Sequence, residues 1–275
     1  MLDILPFLTK LHENLERVNN RLNKYIKDPK AKNIHDIRTS IRRLNAAFST
    51  LPKKYRTGSS MTTYILSCKE LFKINSEIRD LDIIYEKLQK YPSSNQRNSV
   101  IESLKSARNS NLENAKTIAR SIKRIDTSKI IDKIGVTERE LQKRYEKMVS
   151  RLITMIESTF PVVLTSPSKL EELHDLRISC KKLKYLLELQ ADEKKSVLKT
   201  RKTLQKLQDI LGVIHDYDFA IEYLSSLGQS SLEIQEIIAV EKEERRAKFD
   251  EFLRFCKRRL GISPDSFLIA LRNLN

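Results

Sequence analysis

Residues 34–48 read IHDIRTSIRRLNAAF and residues 173–187 read LHDLRISCKKLKYLL. From His35 and from His174 alike, an Arg follows three positions on, two adjacent basic residues seven and eight on, and a Leu nine on. At about 100° per residue, with His35 as zero, Ile34, Ile37, Ile41, Leu44 and Phe48 fall between about 180° and 260°, one apolar stripe of an amphipathic helix. His35, Arg38 and Arg42 fall between about 300° and 360°, with Arg43 near 80°, so three of them line a ridge beside that stripe. In the second copy Leu173, Leu176, Cys180, Leu183 and Leu187 take the apolar angles. His174, Arg177 and Lys181 take the ridge, with Lys182 beside it and Lys184 near about 280°.

Working outward, two more matches keep the same order. Ile78-Arg79-Asp80-Leu81-Asp82 corresponds to Ile214-His215-Asp216-Tyr217-Asp218, and the weaker Arg17-Val18 with Arg21-Leu22 corresponds to Lys147-Met148 with Arg151-Leu152. Ordered matches whose offsets drift imply a duplicated unit with altered loop lengths. The expected architecture is all-α: two tandem four-helix bundles related by an internal pseudo-twofold axis, residues 1–130 and 131–275, with an extra C-terminal helix. Composition agrees, since 5 Gly and 7 Pro in 275 residues leave too few turn formers for a many-stranded sandwich or barrel. Hydrophobic residues at 40% supply a sizeable core and exclude wholesale disorder.

Breaks at Asp28-Pro29, Pro52 and Pro92 place helices at about 4–27, 32–51, 60–90 (with a weak point at Asn75) and 96–124. The thin stretch from Asp126 to Val136 is the expected boundary. A capping box of Thr137 with Glu140 opens a helix to about 158, and later helices cover about 168–190, 193–211, 214–227, 231–260 and 265–273. Cys68, Cys180 and Cys256 are too few and too widely spaced for a disulfide framework or a zinc site, and are expected in the core. No apolar run approaches the roughly 18 residues of a membrane span. The opening MLDILPFLTK lacks a signal peptide's basic start. A soluble, cytoplasmic protein is expected.

The formal charge of +16 points to a polyanionic partner. A row of cations at one-turn spacing repels itself, so it needs either good solvation or a compensating anion. The doubled, in-register pattern weighs toward the anion. Two of the chain's 4 histidines stand at the heads of the two ridges, where neighbouring cations favour the neutral ring. Each could hold a backbone carbonyl or an acid, contact a ligand, or do both.

His-x-x-Arg-x-x-x-basic-basic-Leu, present twice and followed by RDLD and HDYD, resembles the CHAD family, the conserved histidine α-helical domain. The resemblance covers nearly the whole chain. It implies two four-helix bundles about a pseudo-twofold axis, with a basic central groove that binds inorganic polyphosphate and is lined by His35, Arg38, Arg42, Arg43, His174, Arg177, Lys181 and Lys182. Asn45 departs from the pattern where Lys184 stands in the second copy, which suggests a weaker hold in the first half. Further candidates are Arg17, Arg21, Lys147 and Arg151 from the third match, and Lys69, Lys73, Lys202 and Lys206 on the helices leading into RDLD and HDYD.

The chemistry of the residues agrees with that implication. Inorganic polyphosphate offers about one charge per phosphate and no base to stack, so a binder needs Lys and Arg and little else. Trp is absent, and Tyr64, Tyr185 and Tyr217 form no base-stacking arrangement. The expectation is therefore a non-enzymatic polyphosphate binder without metal or cofactor, for which sulfate or phosphate would serve as crystal mimics. Polyphosphate granules are a candidate address, and no membrane partner is expected. A nonspecific nucleic-acid binder is one alternative, since +16 attracts any polyanion. An HD-type metal-dependent phosphohydrolase built on His35-Asp36, His174-Asp175 and His215-Asp216 is another, although the adjacent basic residues would repel its cation. Asp80, Asp82, Asp216 and Asp218 are read instead as helix-start caps and acid partners of basic neighbours.

Overall fold

The structure, a computed structural model, describes residues 2–190, 195–227, 231–260 and 271. The described residues are helical and contain no strand. The helices are α1 (Ile4–Lys27), α2 (Ala31–Thr50), α3 (Ser60–Leu88), α4 (Asn95–Ser121), α5 (Thr127–Ile131), α6 (Glu138–Thr165), α7 (Leu170–Leu187), α8 (Lys195–Ser226) and α9 (Leu232–Phe255), with a 3₁₀ turn at Lys53–Tyr55 and a π-helical turn at Cys256–Leu260. The helix expected at 265–273 lies outside the described residues, Leu271 apart.

Local chemistry sets most boundaries. Leu51, preceding Pro52, is extended at φ −63°, ψ 146° and ends α2. The turn after Tyr55 closes through Gly58 at φ 68°, a left-handed conformation that glycine adopts without steric cost. The α6 capping box forms in both directions: Thr137 N donates to Glu140 Oε2 at 3.1 Å and Glu140 N to Thr137 Oγ1 at 3.2 Å.

Four expectations differ from the fold, each for a packing reason. α3 runs unbroken because buried Asn75 accepts a hydrogen bond from Tyr25 of α1 at 2.8 Å and does not compete with its own backbone. α8 continues through Gly212, since buried Leu207, Leu211, Ile214 and Tyr217 keep one helical stripe across it. That packing outweighs the roughly 1 kcal/mol a mid-helix glycine costs. α6 likewise passes Pro161 to Thr165, with Phe160 and Val163 buried. Within the stretch read as a boundary, the short α5 packs on α1: Thr127 donates to Glu16 at 2.5 Å and lies 3.1 Å from His12 Nε2. α6 also has an 18-residue window of mean hydropathy 1.2, a length and composition that would suit a membrane span, although Arg151 and Glu157 interrupt any unbroken apolar run.

Two compact units divide the chain: unit 1 is Met1–Asp82, Ser103–Glu146 and Glu188–Ala191, and unit 2 is Ile83–Glu102, Lys147–Leu187 and Asp192–Asn275. These divisions record proximity and fall inside α3, α4 and α6, whereas the repeat boundary near residue 130 is read from descent. In unit 1, α1 packs on α2 and α5. Phe7, Leu11, Leu15, Val18, Ile34, Ile37 and Leu44 are fully buried or nearly so. In unit 2, α8 packs on α7 and α9, and Phe160 meets Phe252 edge-on at 6.3 Å. The cysteines are buried free thiols.

Candidate functional site

Each repeated helix buries the stripe assigned to it. Ile34, Ile37, Ile41, Leu44 and Phe48 of α2 and Leu173, Leu176, Cys180, Leu183 and Leu187 of α7 all lie in the core. With that face fixed, the basic ridge must flank it. His35 and His174 are exposed, as is Lys182, while Arg38, Arg42, Arg43, Arg177 and Lys181 are half-buried.

On α2 the arginines are held from beside and below. Arg42 stacks over the ring of Phe72 on α3 at 5.0 Å from its centroid, and Arg38 approaches the same ring at 5.8 Å. Arg38 Nη2 also reaches Ser76 Oγ at 3.4 Å. Arg43 Nε donates to Glu188 at 2.9 Å, and Arg21 Nη1 to Asp36 at 2.5 Å, so part of both charges is already balanced. His35 Nε2 lies 3.5 Å from Thr39 Oγ1.

On α7 the surroundings differ. His174 faces His215 of α8 with ring centroids 5.3 Å apart and planes inclined at 59°. Although the residue is exposed overall, partial desolvation of its ring and then the neighbouring Arg177 hold His174 below the ordinary histidine range, against an opposing pull from Asp175. Burial pushes His215 further, down to about 3, with Arg177, His174 and Lys181 adding to it. Both rings are therefore neutral at pH 7. Both also line a cavity of about 690 Å³ in unit 2. Lys184 is buried and donates to Gln205 Oε1 at 2.7 Å, a packed position.

The outer candidates divide between the units as the repeats do. Arg17, Arg21, Lys69 and Lys73 fall in unit 1 with the α2 ridge, and Lys147, Arg151, Lys202 and Lys206 in unit 2 with the α7 ridge. Apart from half-buried Arg21 these side chains are exposed. Asp80, Asp82, Asp216 and Asp218 sit in the interiors of α3 and α8, so none is a helix-start cap. Asp82 and Asp218 hold the expected partner role. Asp82 accepts from Arg108 Nε of α4 at 2.5 Å, and Asp218 accepts from Arg245 Nε of α9. The second Asp of each repeated segment thus takes an Arg from the next helix, a correspondence in contacts that matches the one in sequence. Among the described residues no group of three or more His, Cys, Asp or Glu side chains is arranged to hold a metal ion.

The CHAD domain family model matches residues 9–225. The chain belongs to the CHAD family. The crystal structure of the CHAD domain from the plant Ricinus communis is similar to this chain at a TM-score of 0.59 and 16% identity, over 98% of this chain and 91% of that one. At this identity the likeness establishes the all-helical CHAD fold. No curated protein matches.

Two residues of this CHAD domain escaped the sequence reading. His215 was visible as part of HDYD, but its pairing with His174 depends on how α7 packs on α8. Phe72 left no signal, because the register that sets Ile78 against Ile214 places Gln208 opposite it. The same register sets Lys69 against Gln205, just as Asn45 stands against Lys184. The lysine missing from α2 is therefore matched in sequence by one on α3.

Proposed function

We propose that this CHAD domain binds inorganic polyphosphate, without turning it over, along the cationic ridges of α2 and α7. One observation carries the reading: the same ridge occurs in both units beside a fully buried stripe, which fixes its cations at the surface at one-turn intervals. Binding would proceed by counterion release together with charge-assisted hydrogen bonds, Arg offering planar forks and Lys mobile point charges. Arg21 and Arg43, partly balanced by Asp36 and Glu188, and packed Lys184 are secondary contributors in this reading. The proposed setting is the cytoplasm, on or near polyphosphate granules.

Aromatic placement favours this polymer over a single-stranded nucleic acid. Tyr64, Tyr185 and Tyr217 are buried. Tyr64 donates to Asn19 at 2.8 Å and Tyr217 to Glu244 at 2.6 Å, so neither offers a face to a base. Competition at equal phosphate concentration tests the choice. Long-chain polyphosphate is expected to displace RNA and DNA, and its failure to do so would remove the specificity. Log affinity is expected to fall linearly with log salt, by roughly 0.7 per phosphate contacted if single strands are a fair guide. Neutralising Arg38 and Arg177 together is expected to weaken binding more than neutralising Lys248 and Lys257. Equal losses would mean a diffuse field with no ridge. Release of phosphate from the polymer, with or without Mg²⁺ or Mn²⁺, would overturn the non-enzymatic part.

A further inference from the structure

The His174–His215 pair lies between two opposing fields. Burial, and after it Arg177 and Lys181 on the same helix as His174, disfavour a proton on both rings. The cavity that the rings line carries the opposite balance. Glu171 and Asp175 face it from α7, Asp218 and Glu222 from α8, and Lys242 and Arg245 from α9. Asp218 is engaged by Arg245, which leaves three carboxylates against one lysine. The remaining wall includes Leu170, Phe219 and Ile221, while Glu171, Asp175, Glu222 and Lys242 are exposed to water.

Burial comes first in keeping the pair neutral, and the bare cations of the ridge add to it. A phosphate chain laid on Arg177 and Lys181 cancels their repulsion and brings its own negative charge beside the rings, which with Asp175 favours an imidazolium. Ring centroids 5.3 Å apart allow one proton on the pair and resist a second, because two imidazolium charges would repel at that distance. Unit 1 lacks this arrangement: in the repeat register Arg79 stands where His215 stands, and its charge is permanent.

We propose that His174 and His215 act as one proton-accepting unit that takes up a proton when a phosphate chain occupies the α7 ridge, which makes half-buried His215 a working part of the binding site. The inference rests on the polyphosphate reading and adds its regulation. Reciprocity then requires that acid tighten binding, by up to about tenfold per pH unit wherever a full proton is taken up.

The test is isothermal titration calorimetry of the full chain with long-chain polyphosphate, chosen so that the titration of chain ends is negligible. Runs in buffers of different ionisation enthalpy at pH 6 and pH 8 give the number of protons taken up. Wild type is expected to gain close to one proton at pH 6 and almost none at pH 8. H174Q/H215Q is expected to lose most of that uptake and to flatten the pH profile. H35Q is expected to keep the uptake. H215Q alone, the milder change should the double variant fold poorly, is expected to lose at least half of it at pH 6. Binding without proton uptake, or uptake that survives in both His215 variants, would overturn the inference and leave polyphosphate binding standing. Failure of polyphosphate to bind at either pH would overturn both.

Discussion

Unit 1 buries neutral hydrogen bonds: Tyr25 donates to Asn75 at 2.8 Å and Tyr64 donates to Asn19 at 2.8 Å. Unit 2 buries ions. Lys87 Nζ meets Glu241 at 2.5 Å with only 10% and 1% of the two side chains exposed, and the ammonium sits 3.1 Å from the Tyr217 ring centroid. Tyr91 adds a hydrogen bond to the same carboxylate at 2.9 Å. The ridges repeat the contrast, with arginines on an aromatic face in unit 1 and cations within electrostatic reach of an imidazole pair in unit 2. A duplication fixes which positions carry charge. What lies beneath them decides whether that charge responds to pH.

The largest expected effect follows from the buried ions. Glu241→Ala leaves the Lys87 ammonium buried without its carboxylate, at a cost of roughly 3–5 kcal/mol in urea unfolding. Asn75→Ala in unit 1 removes a neutral partner and is expected to cost roughly 1–3 kcal/mol. Replacing both ions, as in K87M/E241L, is expected to recover most of the loss, since similar-sized apolar side chains can stand in for a buried pair. Equal costs for E241A and N75A would erase the contrast between the units.

Next in size is the acid side of stability. The unfolded His215 ring takes a proton near its ordinary pKa of about 6.5. The folded ring, desolvated and facing Arg177, does so only near about 3. Between these values the unfolded chain binds the extra proton, so stability is full above about pH 6.5 and falls as pH drops toward about 3. The slope is at most roughly 1.4 kcal/mol per pH unit, and less for a ring that water partly reaches. His215→Gln is expected to flatten that slope in urea unfolding at pH 7, 6 and 5. An unchanged slope would place the acid sensitivity elsewhere.

The contrast also explains what could be read in advance. Ile34 to Phe48 and Leu173 to Leu187 repeat an apolar period that only a buried helical stripe satisfies, so the helices and the ridge positions were legible in one dimension. Gly212, Pro161 and Asn75 misled because each is a local breaker overridden by packing, through Leu211 and Ile214, through Phe160 and Val163, and through Tyr25. The partners of the ridge were hidden for a related reason. Phe72, Glu188 and His215 reach it from other parts of the chain, and no spacing along α2 or α7 encodes them.

Phe72 yields the smallest effect and the finest test of the contrast. A guanidinium over a ring face is held by the ring's quadrupole, so Phe72 would position Arg38 and Arg42 on the ridge without adding or removing charge. Phe72→Leu retains an apolar contact beneath them and removes the π-face. With roughly 0.5–1 kcal/mol for each stacked guanidinium, polyphosphate affinity is expected to fall by about threefold to tenfold. The salt slope should not change, because the number of charges is the same. Nor should the pH profile, because Phe72 lies on the unit 1 ridge, where Arg79 takes the place of His215. An affinity equal to wild type would mean that the ring supports the fold alone. A fall accompanied by a shallower salt slope would mean that Phe72 sets how many phosphates the ridge engages.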